Sequence, residues 1–142
     1  MIDPLVRPAT PDDAAQIALL SDEARDWLAD QRGGPRWCRD HPAGAWEQPG
    51  AIVHVAHIGD LIVGYVVATV DRDLARIDEV YVTPEARELG FGDALLEVTI
   101  AAARAAGART LDGESLPGDR DTKNLYERAG IKARLITVST TL

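Results

Sequence analysis

One stretch, residues 80–92, constrains the fold of this chain more than any other. Val80-Tyr81-Val82 closes an alternating apolar run, Pro84 stops it, and a short loop carries Gly90 and Gly92 one residue apart. Residues 93–106 then read as a helix rich in Ala and Leu. A strand therefore feeds a glycine loop, and the loop opens a helix. The first N–H groups of a helix have no internal partner, and the dipole adds partial positive charge there. Glycine lets the backbone approach a ligand closely. The pattern predicts an anion cradle, above all for phosphate. Two phosphate loops are excluded. No Gly-Lys-Ser/Thr ending follows, and Leu95 stands where a dinucleotide fingerprint needs its third glycine.

The rest of the chain sets this junction in context. Residues 5–9 read as a short first strand. Thr10 suits a helix N-cap, with Pro11 at the first helical position and Asp13 able to reach back to the cap. Ile17, Leu20, Ala24 and Leu28 follow at helical spacing. Residues 31–50 are punctuated by Gly and Pro too densely for a long regular element. They hold Trp37 and Trp46, so an ordered, partly helical loop is expected. Residues 51–57 and 61–70 form a hairpin, and Gly64 marks a bulge or a close approach. Residues 74–82 are the third strand of the meander. After the helix, capped by Gly107, come a strand at 109–112, a helix at 122–129 and a last strand at 133–141. A meander followed by a βαβ unit predicts an α/β fold with a mixed sheet.

Composition narrows the class. At 142 residues the chain reads as a single domain over residues 1–142, large enough to bury a core without disulfides or metal. Its one cysteine, Cys38, precludes an internal disulfide and points to a reducing compartment. Cys38 reads as an incidental thiol rather than a nucleophile. His54 and His57 point to opposite faces of a strand, so no metal site is expected. No apolar run spans a membrane, and the N-terminus lacks the regions of a signal peptide, so a cytoplasmic protein is expected. A net charge of −8 argues against nucleic-acid binding and is compatible with a cationic amine substrate.

Arg87-x-x-Gly90-x-Gly92 between a Val-Tyr-Val strand and an Ala/Leu helix resembles the loop of the GNAT (GCN5-related N-acetyltransferase) family. The opening residues 6–20 and the element order resemble it too, over nearly the whole chain. The resemblance implies a mixed, mostly antiparallel central sheet flanked by helices, and acetyl-CoA as co-substrate without a metal. It implies that the loop of Arg87, Glu88, Leu89, Gly90, Phe91, Gly92 and Asp93 grips the pyrophosphate. It also implies that the backbone of Tyr81 and Val82 pairs with the pantetheine arm. Two positions depart from the family pattern. Glu88 stands where glycine is frequent, and Asp93 adds a second carboxylate near the phosphates.

The stretch Asn124-Leu125-Tyr126-Glu127-Arg128-Ala129-Gly130 resembles the family's second signature. By that match Tyr126 protonates the departing CoA thiolate. The family often has Asn seven residues earlier, where this chain has Asp119. Glu79, on the strand before the loop, is the candidate base for the amine, with Asp78, His54 and Asp112 as alternatives. The resemblance makes the partners acetyl-CoA and a small amine or protein amine, and members often dimerise. Residues 31–50 then read either as a lid over the acceptor side or as a loop packed on the core. Three functions follow from these residues: an N-acetyltransferase acting by direct attack, a catalytically silent acyl-CoA-binding sensor or interaction module, and an acetyltransferase of aminoacyl-tRNA. The acidic balance speaks against the third.

Overall fold

The computed structural model describes residues 4–142. The expectation drawn from residues 1–3, that no leader opens the chain, lies outside the described residues. β1 (Leu5–Pro8) leads through a 3-10 turn (Pro11–Asp13) into α1 (Ala14–Ala29) and α2 (Gly34–Asp40). A second 3-10 turn (Ala45–Glu47) precedes β2 (Ile52–Ile58), β3 (Leu61–Asp71) and β4 (Leu74–Val82). The turn Pro84–Ala86 opens the way to α3 (Phe91–Ala105), β5 (Thr110–Asp112) and α4 (Arg120–Arg128). Among the described residues no helix is long and apolar enough to cross a membrane.

The helix start expected at Thr10 forms. Its N–H donates to the Asp13 carboxylate at 2.8 Å, and Arg7 grips the same carboxylate through two bonds of 2.7 and 2.9 Å. α1 buries Ile17, Ser21 and Ala24, a stripe at helical spacing. α3 buries Leu95, Leu96, Thr99 and Ala103 on one face. Each fully buried leucine contributes about 2 kcal/mol through removal of its apolar surface from water.

The five strands lie in the order β1-β2-β3-β4-β5, antiparallel except for the parallel pair β4–β5. β3 is central and nearly continuously apolar because helices cover both of its faces. On one face α1 packs over Val55, Tyr65, Val67 and Tyr81. On the other α3 and α4 pack over Ala56, Val66 and Ile77. Gly64 answers its sequence reading, since a Cβ there would come within 2.9 Å of the Tyr81 carbonyl oxygen.

Two irregularities shape β4. Val67 pairs with Glu79 and Ala68 with Ile77, so Asp78 is an extra residue, a bulge held by a 3.0 Å bond from the Thr69 hydroxyl. A bulge bends its strand and increases the local twist. On its other side β4 pairs with β5 only over Leu74–Arg76, so residues 77–82 have no strand partner there.

One sequence expectation of the loops holds and two of the elements need correction. The partly helical loop expected at 31–50 does contain a helix, α2, whose first turn holds Pro35. The two later helices start about two residues before the predicted points, at Phe91 and Arg120, because Gly90 and Asp119 act as their N-caps. The last strand, expected at 133–141, is absent: residues 131–142 hold no helix or strand. Leu135, Ile136 and Val138 are 81% or more exposed. Strand propensity expresses fit to a half-buried pleated surface, and the three-residue β5 offers this segment little edge to join.

Candidate active site

The unpaired end of β4 forms one wall of a cleft of about 460 Å3, with the last turns of α1, the first turn of α3 and α4 as the others. Gly90 caps α3 in the left-handed conformation, φ +89°, and no side chain bonds across that turn. The N–H groups of Phe91, Gly92 and Asp93 therefore have no partner inside the helix, and these residues line the cleft. The two glycines do different work. Gly90 turns the chain, whereas a Cβ on Gly92 would lie 3.1 Å from Leu125 Cδ1, so Gly92 lets α4 approach α3. Glu88 also adopts a left-handed backbone, φ +65°, which explains why glycine suits this position and costs a side chain about 1 kcal/mol.

The cleft is rich in charge, and most of it is paired. Asp93 accepts from Arg128 at 3.0 Å, and Asp121 from Arg87 at 3.1 Å. Asp119 is buried, and its carboxylate caps α4 by accepting from the Thr122 N–H at 3.0 Å. Glu88 has no ion-pair partner among the described residues. The Arg87 Nε donates to the Val82 carbonyl at 2.9 Å, and the guanidinium lies against the rings of Trp27 and Tyr81. The cleft gathers every residue expected to bind the donor except Leu89, which is half exposed outside it.

The two residues expected to move protons lie outside the cleft wall, on opposite faces of the sheet. Tyr126 is buried in the α3 face, its hydroxyl end against Gly113, where a Cβ would come within 3.0 Å of the oxygen. Burial, together with the nearby charges of Asp119, Glu114 and Asp78, pushes its phenol well above the ordinary value. Glu79 belongs to the α1 face. Its Oε1 accepts from the Tyr65 hydroxyl at 3.2 Å, while Oε2 and the Ser21 hydroxyl are buried without a partner. Burial raises the Glu79 carboxyl above its usual range, against the pull of Tyr65 and the Arg25 charge.

The alternatives to Glu79 are placed less well. Asp78 is the bulge residue. His54 sits on β2, two strands away from β4, and burial lowers its pKa. Asp112 is exposed at the end of β5.

Several residues of this neighbourhood were not singled out from sequence: Trp27, Tyr65, Ser21, Asp121 and Arg128. Only Arg128 carried a signal, standing two residues after Tyr126 in the same motif. The others meet the site through strand register and helix packing.

Residues 49–131, more than half of the chain, match the family model described as an acetyltransferase (GNAT) domain. The chain belongs to the GNAT acetyltransferase family. The mixed, mostly antiparallel sheet with flanking helices is the GNAT fold, and solved structures bear this out. The tetramutant of the BH1408 protein from Bacillus halodurans superposes with a TM-score of 0.80 at 18% identity, covering 97% of this chain and 99% of its own. Aminoglycoside N-acetyltransferase AAC(6')-Iy, solved in complex with CoA, gives 0.72 at 13% identity, covering 97% and 100%. A ribosomal-protein-alanine N-acetyltransferase from Brucella melitensis biovar Abortus 2308 gives 0.72 at 19% identity, covering 99% of both chains. At such identities the likeness carries the fold alone. No curated protein matches this GNAT chain in sequence.

Proposed function

We propose that this GNAT chain transfers the acetyl group of acetyl-CoA to an amine by direct attack. One observation carries the reading: the N-terminus of α3, with no side-chain cap bond, and the unpaired end of β4 open into the same cleft. The first suits a pyrophosphate, and the second suits an extended amide-bearing arm. Backbone N–H groups from Leu89 to Asp93 hold the phosphates, and the edge at Tyr81 and Val82 pairs with the arm. Asp93 adds little repulsion, because its carboxylate turns to Arg128. Glu88 remains the one unpaired acid of the loop and weakens the grip.

In this reading Glu79 takes the proton of the attacking ammonium. Its raised pKa brings it nearer to neutral pH, where a base is most effective. The neutral amine attacks the thioester carbonyl, the C–S bond breaks, and Tyr126 gives its proton to the thiolate. The Tyr126 phenol holds that proton at neutral pH, and burial makes it a weaker acid than a free phenol.

A second reading is a catalytically silent acyl-CoA-binding module. It is favoured by the position of Glu79 and Tyr126 outside the cleft wall and by the hold of Arg87 on the Val82 carbonyl. Calorimetric titration with acetyl-CoA, followed by CoA release with a panel of amines, separates the two. Binding with amine-dependent release supports the transferase, binding without release the silent module, and no binding removes both.

A further inference from the structure

The Arg87 guanidinium lies over two aromatic rings, which together form a slot. Its Cζ lies 5.6 Å from the centre of the Trp27 ring and 5.5 Å from that of Tyr81. Both are within cation–π reach. The rings come from α1 and β4, and the apolar side chains of Ala24 and Leu28 line the same cleft. The Tyr81 ring is held in place, because its hydroxyl donates to Glu23 at 2.8 Å and the Thr83 hydroxyl donates to that same carboxylate at 3.1 Å. The slot is therefore built from two elements, offers two π faces to the cation and has a carboxylate bonded to one ring's hydroxyl.

The hold on Arg87 is replaceable. Its bond to Asp121 involves a carboxylate 69% exposed, and such pairs are weak in water. Its bond to the Val82 carbonyl uses a ladder acceptor on the part of β4 that β5 does not pair with. A donor arm pairing with that edge competes for the carbonyl, and a pyrophosphate at α3 offers the guanidinium a bidentate partner. Once Arg87 leaves, two ring faces stand empty beside Val82.

We propose that the Trp27–Tyr81 slot is the receiving site for an acceptor bearing an alkylammonium or guanidinium group, and that Arg87 is its built-in placeholder. The purpose of the slot rests on the acetyl-transfer reading. Its affinity for an organic cation does not, which lets the two be tested separately. Binding the acceptor as a cation puts the amine in the cleft before it gives up its proton.

The Arg87→Ala variant vacates the slot without any CoA compound. Calorimetry with 1,4-diaminobutane, and with 1,4-butanediol as the neutral isostere, reads the result. Arg87→Ala is expected to bind the diamine about tenfold more tightly than the wild type does, and about tenfold more tightly than it binds the diol. Adding Trp27→Leu should abolish the gain, and a Trp37→Phe control should keep it. Equal binding of diamine and diol, or a gain that survives Trp27→Leu, overturns the proposal. Arg87→Gln serves if the alanine variant melts early. In the wild type, saturating desulfo-CoA should tighten diamine binding about tenfold. If desulfo-CoA does not bind, the donor reading fails while the Arg87→Ala titration still decides the slot.

Discussion

Asp13, at the junction of β1 and α1, and Glu79, in the middle of β4, are both carboxylates largely withdrawn from water. They answer burial in opposite ways. Asp13 is gripped by Arg7 through two bonds and by the Thr10 N–H, and the Arg7 hydrogen bonds above all bring its pKa from 3.8 down to about 2. Glu79 has one neutral donor, Tyr65, and burial wins, so its pKa rises. The nearest cation, Arg25, spends its donors on the carbonyls of Cys38 and His41, and neighbouring Asp78 adds a like charge. A fork of donors makes a carboxylate a strut; its absence leaves a carboxylate whose charge burial disfavours.

The largest expected effect tests that contrast directly. Glu79→Gln should lower kcat about 100-fold while leaving the Kd for acetyl-CoA unchanged. It should also raise Tm at pH 7. The folded pKa of Glu79 lies above its unfolded value, so the fold loses stability as pH rises through that window, and a neutral side chain removes the loss. Unchanged kcat would reduce Glu79 to a structural residue.

Tyr65→Phe comes next. Its hydroxyl favours the charged carboxylate, so its loss should move the acidic limb of the kcat/KM profile upward and cut activity at pH 7 about tenfold. A limb that stays in place dissociates Tyr65 from the chemistry.

Asp13→Asn should act on stability alone, lowering it by on the order of 1 kcal/mol at pH 7, a figure discounted for the partly solvated Arg7. The sign is opposite to that at Glu79. The folded pKa lies below the unfolded one, so the stabilisation is present above 3.8 and lost as pH falls to about 2. Melts at neutral pH and near pH 2 should differ between wild type and variant only in the first. A variant equally destabilised at both would show that the ion pair is not the source.

The smallest effect concerns the one unpaired acid of the loop. Glu88→Gly relieves a left-handed backbone and removes a negative charge, so acetyl-CoA should bind a few-fold more tightly, and Tm should stay level or rise slightly. Weaker binding would mean that the Glu88 side chain supports the cradle.

The α3 junction was legible in the sequence because its chemistry is local. Pro84, Gly90 and the Ala/Leu run act through neighbouring dihedrals and unpaired helix N–H groups, so a dozen residues specify the turn and the helix start. Asp13 and Thr10 are equally local. The tail at 133–141 shows the limit: its β-rich pattern describes a strand, yet a strand needs an edge elsewhere in the chain to receive it.

Sequence by itself determined the meander, the glycine turn at the start of α3 and the family resemblance, since all three depend on short-range spacing. Tertiary structure alone decided which residues share an environment. Tyr65 reaches Glu79 through the register of β3 on β4, Trp27 reaches Arg87 through the docking of α1, and Asp78 becomes a bulge only against Thr69. Pairwise contacts between distant segments carry no periodic trace in the chain, and a single-residue shift of register would send the strand side chains among them to the other face. The roles of the charges were settled in the same way. Asp93 turned to Arg128 and Asp13 to Arg7, while Glu79 was left with a phenol, because burial and partner geometry, not residue type, set the energy of a charge in a folded chain.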